Sequence, residues 1–97
     1  METVDMVRTL LRNVIDPEIG LNIVDLGLIY DIKIEDNKCF VLVTMTTIGC
    51  PMAGAIVNDM YDVLGAVGFD DLKVEVTYTP PWSPEKMTTE GRRILRI

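Results

Sequence analysis

The 97-residue sequence contains no histidine, so it lacks the side chain most often used as a general base near neutral pH and the commonest zinc ligand. Its two cysteines, Cys39 and Cys50, are too few for a disulfide scaffold and too far apart for a C-x-x-C metal knuckle, which points to a reducing compartment. Basic residues are also scarce: nine Lys and Arg stand against fifteen Asp and Glu, a net charge of −6. That balance argues against nucleic acid and anionic membrane surfaces as partners and fits proteins or metal ions better. No apolar run approaches the ~18 residues that would cross a bilayer. The start, Met1-Glu2-Thr3, shows neither the basic nor the apolar region of a signal peptide, and the expected location is cytoplasmic.

What is present suffices for one folded unit. Nearly half the chain is hydrophobic, at 48%, enough for a core, and the length fits a single domain over residues 1–97. Residues 3–15 place Val4, Val7, Leu10, Leu11, Val14 and Ile15 at helical spacing, with Thr3 as N-cap and Pro17 ending the run. Residues 16–27 hold three carboxylates, two glycines and a proline with no clear period, which predicts a long ordered loop of the kind that often carries function.

Residues 28–35 and 38–46 alternate as two strands across Asp36-Asn37, a pair suited to a tight hairpin. Placing Glu35 opposite Lys38 sets Ile34 against Cys39, Ile32 against Val41, Tyr30 against Val43 and Leu28 against Met45. One face is then wholly apolar, while Phe40 and Leu42 remain on the other, to be covered by the tail or a partner. A second amphipathic helix spans 51–67 with Pro51 at its first position, a third strand spans 72–78, Ser83-Pro84-Glu85 reads as a cap and first turn, and 88–97 reads as a short helix. The order helix-strand-strand-helix-strand packs most simply as a two-layer α/β (α+β) domain. A right-handed crossover would make the three-stranded sheet mixed, with the 38–46 strand central.

Cys50 stands just ahead of the second helix, where free backbone N–H groups and the helix dipole favour a thiolate. Such a thiolate could bind a soft metal or attack an electrophile; equally, the residue could fill a turn as a small hydrophobe. Cys39 points into the apolar hairpin face and reads as structural. Asp16, Glu18 and Asp25 lie in the loop, and Thr44, Thr46 and Thr47 lead up to Cys50. If the loop folds over that strand end, carboxylates, hydroxyls and thiolate share a pocket; otherwise the aspartates cap turns. Trp82 is either a docking anchor or a cover for the sheet edge, and Arg92, Arg93 and Arg96 form a basic patch or a solvated face.

Four stretches taken together, Asp16-Pro17-Glu18, Asp25-Leu26-Gly27-Leu28-Ile29-Tyr30, Thr46-Thr47-Ile48-Gly49-Cys50-Pro51 and Pro80-Pro81-Trp82 followed by Met87 and a basic terminal segment, resemble the PaaD-like and SufT-like family of iron-sulfur cluster assembly factors. The resemblance runs from about residue 3 to the end of the sequence. It implies an iron-sulfur assembly domain acting without catalysis in the maturation or delivery of clusters, with Cys50 as the key residue and Asp16, Glu18 and Thr46 or Thr47 as neighbours. It also implies a transient iron-sulfur cluster or iron as cofactor, and assembly proteins and apo-protein clients as partners. A thiolate-ligated cluster normally takes about four cysteines, so one Cys50 per chain points to a homodimer or to client thiols. Two alternatives remain: a metal-free adaptor docking through Trp82, Phe40, Leu42, Arg92 and Arg93, and a thiol enzyme with Cys50 as nucleophile, which lacks the usual histidine partner.

Overall fold

The computed structural model describes residues 3–46 and 53–97. Helix α1 spans Val4–Leu11. Its N-cap is Thr3, whose hydroxyl accepts the Met6 N–H at 3.1 Å, satisfying one of the orphan donors of the first turn. The helix is shorter than the apolar spacing predicts. Arg12, Asn13 and Val14 close it with tight bonds to the carbonyls three residues back, so Val14 is still buried while Ile15 turns outward at 45% exposure.

The stretch expected to be a loop contains a minimal hairpin. Strands β1 (Ile15–Asp16) and β2 (Leu21–Asn22) pair antiparallel, Ile15 with Asn22 and Asp16 with Leu21. Two-residue strands are too short to show a period, which is why the pattern hides them. Beyond them Ile23, Val24, Leu26 and Leu28 are buried, so this crossing feeds the core as a strand would.

Strands β3 (Ile29–Glu35) and β4 (Lys38–Val43) form the expected hairpin, turning through Asp36 and Asn37, both at positive φ. The register holds from Glu35–Lys38 to Asp31–Leu42 and then shifts, so that Ile29, not Tyr30, faces Val43. A bulge at Tyr30 corrects the expected pairing there; the Leu28 carbonyl accepts the Thr44 N–H instead. Phe40 and Leu42 are half-buried on the outer face, flanked in register by Lys33 and Lys73 and by Asp31 and Glu75; the lysine stems can shelter Phe40.

Helix α2 (Ala53–Gly65) buries Ile56, Met60 and Leu64; Pro51, expected at its first turn, lies outside the described residues. The chain then crosses to β5 (Asp71–Val76), which pairs parallel with β4. The sheet order β3-β4-β5 is thus mixed with β4 central, as expected. A 3-10 turn over Pro84–Lys86 and helix α3 (Thr89–Leu95) complete the described chain. Val7 and Leu11 of α1 and the buried stripe of α2 join Ile32, Cys39, Val41 and Val43 of the sheet in one core. No described helix is long and apolar enough to cross a membrane.

Candidate functional site

The loop carboxylates are placed by local chemistry. Asp16 is buried, and its Oδ1 accepts the Glu18 N–H at 2.9 Å, while its carbonyl accepts the N–H of Gly20 at 2.7 Å. It therefore caps the turn between β1 and β2. Glu18 is exposed on that turn, with its carboxylate turned away from the core.

Asp25 is organised over a longer range. Its Oδ2 accepts from Asn22 Nδ2 at 2.7 Å and its Oδ1 from Thr88 Oγ1 at 2.8 Å; its carbonyl accepts the Thr88 N–H at 3.0 Å. Thr88 in turn caps α3, its hydroxyl accepting the Gly91 N–H at 3.0 Å. The hydrogen bond from Asn22 does most to hold the Asp25 carboxyl below the usual carboxylate range; the Thr88 bond and the Arg12 charge add to this, against the opposing effect of burial.

Three further contacts lock the same crossing to the C-terminal segment. Trp82 Nε1 donates to the Leu26 carbonyl at 2.6 Å, so the indole's polar edge faces inward and the ring is half-buried against the core. Gly27 has φ +78°, and a Cβ there would lie 2.6 Å from the Lys86 carbonyl carbon; a Cβ on Gly91 would lie 2.6 Å from the Asp25 carbonyl oxygen. Both glycines permit backbone to approach backbone. Of the terminal arginines, Arg92 donates to the Glu85 carbonyl at 2.8 Å and Arg93 pairs with Glu90.

At the end of β4, Thr44 is fully buried, and its Oγ1 is the buried side-chain oxygen with no partner among the described residues. Thr46 is half-buried beyond it. Thr47 and Cys50 lie outside the described residues. Cys39 is 3% exposed, and burial pushes its thiol pKa up, which suits a core residue and not a nucleophile. The structure thus places Asp16, Glu18 and Asp25 along one crossing with separate partners and ties Asp25 to the tail; among the described residues no three His, Cys, Asp or Glu side chains are arranged to hold a metal. Sequence reasoning missed Asn22, Gly27, Thr88 and Gly91; Thr88, a threonine immediately ahead of the last helix, carried an N-cap signal, whereas the partners of Gly27 carried none.

A family model described as iron-sulfur cluster assembly protein matches residues 4–77. A protein of Bacillus subtilis named Fe-S protein maturation auxiliary factor YitW is 37% identical over 89 residues, covering 90% of this chain and 87% of that one. The Staphylococcus aureus Fe-S protein maturation auxiliary factor SufT is 39% identical, covering 87% of this chain and 98% of its own. Among solved structures, a domain of unknown function (DUF59) from Bacillus anthracis superposes with a TM-score of 0.90 at 42% identity, covering 96% of this chain and 91% of that one.

Proposed function

Because this chain belongs to the iron-sulfur cluster assembly protein family, we propose that it is a non-enzymatic cytoplasmic auxiliary in the maturation of iron-sulfur proteins, using Cys50 to hold or hand on iron or a cluster. The relatives' names, Fe-S protein maturation auxiliary factors, support this role. The observation that carries the residue assignment is the burial of Cys39 at 3% exposure with its thiol pKa raised. With that sulfur in the core, thiolate chemistry falls to Cys50, the other cysteine of the chain.

The cluster is cargo in this reading. One thiolate per chain makes an incomplete ligand set, which suits transfer better than storage. The remaining positions come from a second copy of Cys50 or from the thiols of an apo-protein client. Glu18, exposed on its turn, is freer than Asp16 to contribute as a metal-binding carboxylate, since Asp16 already caps that turn through Oδ1. Thr46 and Thr47 precede Cys50 closely in the sequence and are the hydroxyl candidates of this reading. Assembly proteins and clients are the partners.

A metal-free adaptor is the competing reading. It is weakened by the inward hydrogen bond of Trp82 and by the bond of Arg92 to the Glu85 carbonyl, which leave those two side chains less available for docking. Anaerobic reconstitution with iron and sulfide, wild type beside Cys50→Ser, decides between them. Cluster absorbance in the wild type, lost in the variant, with transfer to an apo-ferredoxin, is the expected result. Absence of cluster in both, with retained capture of the same assembly partners, would establish the adaptor.

A further inference from the structure

Two clefts of similar size lie on the described surface, and their charges differ. One, about 470 Å³, is lined by Lys33, Lys38 and Lys73 but also by Glu35, Asp36 and Asp71, so its cations and carboxylates balance. The other, about 390 Å³, is lined by Arg8, Arg12 and Lys86 together with Val24, Gly27, Ile29, Tyr30 and Thr88, with no carboxylate in the lining. On a chain of net charge −6, three cations lining one cleft with no carboxylate in that lining stand out.

The cations are set by separate elements. Arg8 and Arg12 are four residues apart, hence on one face of α1 and its cap. Lys86 comes from the 3-10 turn, its Nζ 5.3 Å from the centre of the Tyr30 ring. The backbone beneath is fixed: Gly27 packs against the Lys86 backbone, Thr88 is bound to Asp25, and the Tyr30 hydroxyl donates to the Pro80 carbonyl at 2.7 Å. One carboxylate whose charge is felt among these cations is that of Asp25, which is buried. It attracts Arg12 but is already satisfied by Asn22 and Thr88. No described ion pair uses Arg8, Arg12 or Lys86.

We infer that the cleft between α1, the start of β3 and the 3-10 turn binds a small multivalent oxyanion, a polycarboxylate or a phosphate compound, through Arg8, Arg12 and Lys86. Guanidinium groups match carboxylate and phosphate in a bidentate way, and a concave cleft with a few charged donors suits a small ligand better than a flat patch does. The site stands independently of Cys50 and of cluster handling.

The test is a titration of the isotope-labelled intact chain at low ionic strength with citrate and, separately, pyrophosphate, using sodium chloride at matched ionic strength as control. Saturable amide shifts at Arg8, Arg12, Gly27, Tyr30 and Lys86 are expected, and the tighter of the two anions identifies the ligand class. The double variant Arg8→Gln, Lys86→Gln should weaken binding by at least about tenfold, as loss of charge-assisted hydrogen bonds does. Lys73→Gln in the balanced cleft should leave it unchanged. Shifts that fail to saturate by about 10 mM, or that persist in the double variant, overturn the site. So does a response to a polyglutamate peptide with none to either small anion, which would make this a face for an acidic protein.

Discussion

In the β3–β4 hairpin each residue faces one a few positions away along the chain, Glu35 against Lys38 and Ile32 against Val41. In the crossing from Val14 to Leu28 the decisive partners are remote: Leu26 is bound by Trp82, 56 residues on, and Asp25 by Thr88, 63 residues on. Both regions are ordered and both reach the core, yet the first is held by repetition, while the second, beyond its own short hairpin and turns, is strapped to the tail by a few single contacts. Repetition tolerates loss of one rung. The strap is more sensitive, because each lost contact leaves fewer to offset the entropy of ordering the tail against the crossing.

The sharpest way to break the crossing is Gly27→Ala. A Cβ there forces an L-residue into φ +78° and drives into the Lys86 backbone, so neither strain nor overlap is relieved by rotating a side chain. The expected loss is about 4 kcal/mol, from left-handed strain plus a backbone clash, a large part of the roughly 5–15 kcal/mol that stabilises a small domain. Urea denaturation should show a collapsed midpoint, with Trp82 fluorescence shifted toward solvent before the midpoint is reached. An unchanged midpoint would mean the strap is not fastened at Gly27.

Asp25→Asn is the next largest change. The carboxylate accepts two side-chain hydrogen bonds; an amide turns a donor toward one of the two and removes the charge. A loss of about 2 kcal/mol at neutral pH is expected for a charge-assisted pair. The pH dependence has a definite sign. Because the folded-state pKa of Asp25 is lowered, its contribution is complete above the ordinary carboxylate range, roughly pH 4, and disappears as pH falls through the lower folded value. Wild type and variant should therefore converge in acid. A difference that stays constant with pH would assign the effect to packing.

The same contrast explains what could be read from the residues alone. Alternation over Leu28–Met45 reveals the hairpin, its face and most of its register, because strand pairing is written in a period of two. It misses the bulge at Tyr30, since a bulge breaks the period without leaving a mark in it. The three-and-four spacing of α2 likewise anticipates its buried stripe of Ile56, Met60 and Leu64. The crossing was recognisable only as an aperiodic stretch with a family-like motif. That Asp25 reaches Thr88 and Gly27 reaches Lys86 depends on where the chain returns after two more strands and a helix, which no local pattern encodes. The basic cleft was hidden for the same reason: Arg8, Arg12 and Lys86 meet only in space.

The smallest expected effect tests whether the hairpin turn is as self-contained as its register suggests. Asp36 and Asn37 have φ of 51° and 60°, the geometry in which Asn-Gly and Asp-Gly turns excel, so Asn37→Gly removes residual strain. It also removes the Asn37 Nδ2 bond to the Gly68 carbonyl, long at 3.3 Å and exposed, and loosens the unfolded chain. The Asp70 N–H bond to the Asn37 carbonyl, at 2.9 Å, is untouched. These terms oppose one another, and stability should stay within about 0.5 kcal/mol of wild type. Urea midpoints measure this, and amide exchange along β3 and β4 reports whether the register persists. A loss above about 1.5 kcal/mol would show that the side-chain tie to Gly68 holds the turn; the hairpin would then depend, like the crossing, on chain that arrives later.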